Sequence, residues 1–213
     1  MKASPISTAR PLILASASPR RKRLLAQVGL PFLTVPAHIP EPMDGGDPEA
    51  EARNLSRQKA RAVLSGRAGS WILGADTVVV LGITILGKPL DRANALSMLE
   101  HLSGREHRVV TGFCLLDPAG AEAHTESVST LVRFKRLDRV EMEGYVDSGE
   151  PFGKAGGYAI QGIGAFLVES IQGSYTNVVG LPLCAVIKAL VDAGALKRFP
   201  LPQSFAADES RKE

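Results

Sequence analysis

Aromatic side chains are scarce in this 213-residue chain, with Phe, Trp and Tyr together at 5%. So few rings exclude the interleaved stacking platform of a single-strand nucleic-acid binder. Long hydrophobic runs are missing too. Leu12–Ala17 is short, and Val178–Ala193 is interrupted by Lys188 and Asp192, where a membrane span needs about 20 apolar residues. No membrane partner is expected. The two cysteines, Cys114 and Cys184, sit inside apolar runs. They read as small buried thiols of a reducing compartment, not as a disulfide or metal pair. Lys2 is followed by no apolar segment with a small-residue cleavage site, so the expected location is the cytoplasm. His38, His101, His107 and His124 show no metal-ligand spacing. No serine lies in a nucleophile-elbow pattern, no P-loop ending occurs, and no repeat suggests a solenoid.

What is present is ordinary in amount and uneven in placement. Hydrophobic residues make up 45% and charged residues 22%, which excludes wholesale disorder. The length suits one domain or two small lobes. The net charge is +3, yet residues 1–67 hold 11 Lys/Arg against 5 Asp/Glu and the remainder 14 against 17. A basic front on a nearly balanced chain points to a local anion site, with no nucleic-acid partner.

Punctuation alternates strands with helices. Leu12–Ser16 is a short apolar strand, after which Ser18 caps a helix with Pro19 at its first position and Gly29 after its end. Phe32–Val35 reads as a strand and Pro36–Pro48 as a loop. A helix follows from Asp47-Pro48 toward Gly66, with Ala52, Leu55, Lys59, Ala62 and Val63 on one face. Trp71–Ala75 and Thr77–Leu81 form a strand region broken at Asp76, and a Gly82 turn leads to Ile83–Leu86. Asp91 caps a helix to Leu102. Arg108–Leu116 and Thr125–Phe134 read as a hairpin, and Asp138–Ser148 as a short helix. Residues 149–164, with six glycines, form a loop. Phe166–Ile171 is a last strand and Leu181–Ala193 a last helix. The class is α/β with a mixed sheet. Residues 1–11 read as an N-terminal extension, 12–198 as one two-lobed domain and 199–213 as a polar tail.

Four features carry chemistry. Ser16-Ala17-Ser18-Pro19-Arg20-Arg21 runs from a strand into a helix N-terminus, where free N–H groups and guanidinium forks suit phosphate. A capped helix with a solvated basic face is the plainer alternative. Asp76 is an acid in an apolar stretch, costly unless paired, hydrogen-bonded or metal-bound. It is a general base or hard-cation ligand, or else a strand-end Asp bonding local backbone. Lys88, in the turn Gly87-Lys88-Pro89, follows one hairpin later. Lys59 lies on or beside the apolar face of its helix, where snorkelling is the alternative.

Six ordered motifs then resemble one family. They are Ser-x-Ser-Pro-Arg-Arg from Ser16, Gly-Ala-Asp-Thr from Gly74, Gly-Lys-Pro from Gly87, and Leu-Ser-Gly-x-x-His-x-Val-x-Thr-Gly from Leu102. Gly-Glu-Pro-x-x-Lys-Ala-Gly-Gly-Tyr-x-Ile-Gln-Gly from Gly149 and Gly-Ser-Tyr-x-Asn-Val-Val-Gly-Leu-Pro-Leu from Gly173 complete the set. Together, over about residues 12–190, they resemble the Maf family of nucleoside triphosphate pyrophosphatases. The resemblance implies a mixed, strongly twisted sheet with flanking helices, two lobes around a cleft, similar to the inosine triphosphatase-like fold. It implies cleavage between the α- and β-phosphates with a divalent cation (Mg²⁺, Mn²⁺ or Co²⁺), and a homodimer is possible. By motif, Asp76 is the implied catalytic acid that orients or deprotonates water. Ser16, Arg20, Arg21, Lys59 and Lys88 are implied to hold the triphosphate, and Glu41, with Asp76, the metal. Thr77 and Gln161, with Arg20, are implied to select the base, in the manner of the branch acting on dTTP and UTP. Two positions depart from the family pattern. Pro40 precedes Glu41 where an Asp is frequent, and Gly153 stands where an acid usually precedes the lysine of Lys-Ala-Gly. A nucleotide-sensing protein that acts on cell division without hydrolysis is the rival reading.

Overall fold

A computed structural model describes residues 4–40, 46–67 and 69–201. The strands are β1 (Leu12–Ala15), β2 (Phe32–Thr34), β3 (Ile72–Leu81), β4 (Thr84–Leu86), β5 (Glu106–Leu116), β6 (Glu122–Phe134) and β7 (Val168–Gln172). The helices are α1 (Pro19–Gln27), α2 (Pro48–Ala62), α3 (Arg92–Leu102), α4 (Arg139–Asp147), α5 (Tyr175–Val179) and α6 (Leu183–Asp192). Short 3₁₀ turns cover Ala155–Gly157 and Gly162–Leu167. The strands form one mixed sheet in the order β2-β1-β3-β5-β6-β7, with β4 paired to β3. β1 runs parallel to β2 and β3, and every other pairing is antiparallel.

Local chemistry sets the helix starts. The Ser18 hydroxyl accepts from the Arg21 amide at 3.5 Å, and Asp47 accepts from the Glu49 and Ala50 amides. Asp91 accepts from Asn94 at 2.7 Å, and Asp138 and Glu141 form a reciprocal capping box. Each cap satisfies N–H groups that the first helical turn leaves without partners.

β3 differs from its sequence expectation, because it runs unbroken through Asp76. Asp76 pairs in register with Gly112, and Thr77 with Thr111. The acid is tolerated because its charge is met from another element, described below. β5 and β6 reach further than their apolar runs, since Glu106 and Arg108 at one end still pair with Arg133 and Leu131. β7 begins at Val168 rather than Phe166, because a 3₁₀ turn occupies Gly162–Leu167. Cys114 is buried, whereas Cys184 is exposed. It faces away from the side on which Leu183, Val186, Ala189 and Leu190 enter the core.

Strand alternation sends the side chains of β3 to two covers. Leu73 and Ala75 join a cluster with Leu24 and Leu25 of α1 and Val186 and Leu190 of α6, and Ile6 packs there too. Val79 joins a second cluster with Leu96 and Leu99 of α3 and Met142 and Tyr145 of α4. On the opposite face α2 lies directly against the sheet. A Cβ on Gly74 would stand 2.1 Å from the Ser56 carbonyl oxygen, and one on Gly112 2.3 Å from that of Ala52. The two glycines let α2 approach this closely.

Behind the second cluster, His107 Nε2 and the Tyr158 hydroxyl share a hydrogen bond of 2.7 Å, and the imidazole stands edge-on to Phe134. Burial lowers the His107 pKa from 6.5 to about 4. The unfolded chain therefore takes up this proton below about pH 6.5 and the folded one only near pH 4, so stability falls as pH drops through that window. Between pH 7 and pH 5 this group is expected to cost about 2 kcal/mol. Urea unfolding at both pH values checks it, and His107→Gln should shrink the difference between them by that amount.

Candidate active site

The edge of β3 that faces β1 has a gap. β1 pairs with Ile72, Leu73 and Gly74, and β4 takes over only at Val79. Between them, Ala75 to Val78 have no strand partner on that edge among the described residues. Asp76 and Thr77 point to opposite faces of the sheet, and the gap lets both reach one cleft of about 380 Å³. β1 ends here and delivers Ser16 and the N-terminus of α1, where open α/β sheets collect their ligands.

On the α2 face, Lys59 Nζ donates to Asp76 Oδ1. The two side chains keep only 9% and 10% of their surface in solvent. The snorkelling alternative for Lys59 is thereby replaced by a buried ion pair, in which each charge offsets part of the other's cost of leaving water. Gly74 and Gly112 hold α2 at the distance this contact needs.

On the other face, Arg21 is a fixed strut. Its Nε donates to the Gly180 carbonyl at 2.7 Å, and its terminal nitrogens donate to Ser16 Oγ at 3.2 Å and Thr77 Oγ1 at 3.0 Å. Thr77 shares a further bond with Thr111, which donates to the Asn177 carbonyl. Asn177 is fully buried, and its amide donates to the Val109 carbonyl and to Thr130 Oγ1. α5 thereby locks the rim of the cleft to β5 and β6. Arg20 Nε donates to the Val179 carbonyl at 3.3 Å. Burial lowers the Arg20 pKa, opposed by nearby Tyr145 and Glu150, and its guanidinium stays charged at neutral pH.

Ser16, Arg20, Arg21, Lys59, Asp76, Thr77, Lys88 and Gln161 all line this one cleft. Glu41 lies outside the described residues. Lys154, which sequence reasoning did not single out, lines it as well. Its pKa is lowered by burial and by Arg20, and its place in Lys-Ala-Gly was the available signal. Gly153, at the departure from the family pattern, lies beside it. Among the described residues that line the cleft, five cations thus surround one carboxylate, an arrangement suited to a polyanion.

A family model described as Maf-like protein matches residues 11–193. The chain belongs to the Maf-like family. Relatives of this Maf-like chain carry the name dTTP/UTP pyrophosphatase. That of Syntrophotalea carbinolica is 50% identical over 199 residues, covering 92% of this chain and 90% of its own. That of Citrifermentans bemidjiense is 50% identical over 87% of this chain and 96% of its own. That of Myxococcus xanthus is 50% identical over 90% and 94%. Among solved structures, a nucleoside-triphosphatase (dITP/XTP pyrophosphatase) of Mycobacterium abscessus overlays with a TM-score of 0.43 and 17% identity. That overlay covers 85% of this chain and 96% of that one. The fold assignment stands on the sheet order and the family rather than on this overlay.

Proposed function

We propose that this Maf-like protein hydrolyses dTTP and UTP to the monophosphate and pyrophosphate. The observation that carries the reading is the buried Asp76 at the β3 gap, ringed by Arg20, Arg21, Lys59, Lys88 and Lys154. Relatives of that name, identical at half of all aligned positions, support it.

Hydrolysis at the α-phosphorus is mostly positioning and charge neutralisation. Arg20 and Lys88 neutralise phosphate oxygens, while Ser16 and the α1 N-terminus offer hydroxyl and N–H donors. Arg21 holds Ser16 and Thr77 in place. Asp76 orients or deprotonates the attacking water, and Lys59 fixes the carboxylate's rotamer. The hard carboxylate of Asp76 beside a phosphate-binding ring fits a divalent cation, since Mg²⁺ typically takes one or two carboxylates plus substrate phosphates. Asp76, and Glu41 if the family pattern holds, would bind it. Bound there, Mg²⁺, Mn²⁺ or Co²⁺ would supply Lewis-acid neutralisation of phosphate oxygens. Gln161, which also lines the cleft, offers an amide, both donor and acceptor, to the imide edge that thymine and uracil share.

The test is release of pyrophosphate and dTMP from dTTP by purified protein with Mg²⁺, against UTP, CTP and dGTP. Binding of dTTP without pyrophosphate release would leave the sensing protein standing instead. Arg20→Ala and Lys88→Ala are each expected to lower kcat/KM for dTTP about tenfold or more, the loss of one charge-assisted contact. Inhibition by dTMP should change less. Equal losses for both ligands would take these side chains off the β- and γ-phosphates.

A further inference from the structure

The segment that carries Gln161 has unusual backbone support. Residues 158–161 belong to no strand or helix, and a 3₁₀ turn starts at Gly162. Its amides are met by two side chains. Ala159 N donates to the Tyr145 hydroxyl at 3.1 Å. Ile163 N donates to Glu150 Oε2 at 3.0 Å, and Gly164 N to Glu150 Oε1 at 2.8 Å. The circuit closes where the Tyr145 hydroxyl donates to Glu150 Oε1 at 3.0 Å. One phenol and one carboxylate therefore grip the chain two residues before Gln161 and again two and three residues after it.

The grip is itself anchored. Tyr145 is buried in α4, at 2% exposure. The Glu150 amide donates to Ser148 Oγ at 3.2 Å, and Lys154 Nζ donates to the Glu150 carbonyl. There is no slack in the loop. A Cβ on Gly162 would stand 2.4 Å from Glu150 Oε2, and one on Gly164 2.6 Å from the Tyr145 hydroxyl. Burial opposes ionisation of Glu150, but the Gly164 and Ile163 amides and the Tyr145 hydroxyl outweigh it and hold the carboxyl below its usual range. Its acceptor capacity is therefore complete at neutral pH.

We propose that Glu150, acting with Tyr145, is a positioning residue for base selection: it clamps the loop on both sides of Gln161 so that the amide meets the base edge in one pose. The inference rests on the reading of Gln161 as the base-facing group. An amide on a loosely held loop can rotate or shift to suit a wrong base. One held to within about 0.5 Å rejects the mismatch by leaving buried polar groups unpaired. Neither Glu150 nor Tyr145 lines the cleft, so neither touches the base itself. Both act on Arg20 only through space, whereas they hold the Gln161 loop by direct hydrogen bonds.

The experiment compares wild type with Glu150→Gln and Tyr145→Phe, the second sparing the carboxylate in case the first folds poorly. Three quantities are measured: kcat/KM for dTTP and dGTP, inhibition by inorganic tripolyphosphate, and amide hydrogen exchange across residues 159–164. In both variants the dTTP-to-dGTP preference is expected to fall at least fivefold and loop exchange to quicken. Tripolyphosphate inhibition should stay within about threefold, since Arg20, Lys88 and Lys154 are all retained and Lys154 keeps its bond to the Glu150 backbone carbonyl. An unchanged preference in both variants, beside a discriminating wild type, overturns the clamp. So does an equal loss on both nucleotides with weakened tripolyphosphate inhibition, which would mark a general collapse. A wild type that hydrolyses no pyrimidine triphosphate would instead overturn the proposed function. Exchange at Ile163 and Gly164 then decides the clamp alone, supporting it if quickened in Glu150→Gln and overturning it if not.

Discussion

Asp76→Asn is expected to lower kcat on dTTP by about 100-fold or more, within the range a positioned base or hard ligand contributes. Asparagine is nearly isosteric and can still accept from Lys59, but it loses the charge, the basicity and the affinity for a hard cation. The buried ion pair adds a second consequence. With Asp76 neutral, the Lys59 ammonium stays in place, almost wholly out of solvent, and loses the counter-charge that Asp76 supplied. Removing one member of a buried pair costs roughly 3–5 kcal/mol, and the retained acceptor should keep the cost near the lower figure. At this size a domain loses roughly 2–4 °C per kcal/mol, so a fall in Tm of about 10 °C is expected and kcat must be read well below it. Adding Lys59→Met to Asp76→Asn should recover much of the Tm and none of the turnover. Turnover above about a tenth of wild type in the single variant, a barrier change under about 1.4 kcal/mol, would remove Asp76 from the chemistry.

Gly74→Ala is expected to be the most destructive single-methyl change in the chain. Its Cβ would meet the Ser56 carbonyl oxygen at 2.1 Å and the Ala60 amide nitrogen at 2.7 Å. Both are helix backbone, so no rotamer change relieves the clash and α2 must lift from the sheet. Overpacking of this kind costs about 3 kcal/mol or more, and a Tm lowered by about 10 °C is the expected reading. Lys59 rides on the same helix three residues past Ser56, so lifting α2 also withdraws it from Asp76. Activity per folded molecule should therefore fall as well, which separates this site from an ordinary core position. Leu99→Ala, in the cluster under α3, provides the contrast: loss of stability with kcat unchanged.

The parts of the fold legible in sequence were those written locally. Ser18, Asp91 and Asp138 announce helix starts through a hydroxyl or carboxylate at the first free amides, and the structure uses all three. The motifs also foretold a common site, since their residues meet in one cleft across separations such as the 159 positions from Arg21 to Gly180. Asp76 was misread as a break because a strand pattern is judged by its neighbours in sequence. The cation that makes it tolerable comes from α2, 17 residues earlier. α5 escaped notice because five residues are too few to show a helical period. Cys184 sits in an apolar run, and only the choice of buried face reveals that it points outward. The double grip on the Gln161 loop was equally invisible, since Glu150 gives no hint in its own segment that its oxygens face Ile163 and Gly164.

The long reach of Arg20 and Arg21 also bears on how the protein is made. Both arginines are synthesised long before their carbonyl partners, Val179 and Gly180, each 159 residues further along. The Ile6 amide likewise waits for the Ala195 carbonyl. Closing loops this long is an entropic toll that must be met before any of these bonds form, and folds dominated by such contacts assemble slowly. A ribosome-bound chain that has emerged only as far as β6 already contains Asp76, Lys59 and Lys88 and can seat α1 on β3 and β5, but it lacks the Val179 and Gly180 carbonyls that hold Arg20 and Arg21. The two arginines gain these partners only once α5 and the glycine after it have been made. Translation order thus makes the bracing of the cleft's two arginines a late event in the assembly of the chain.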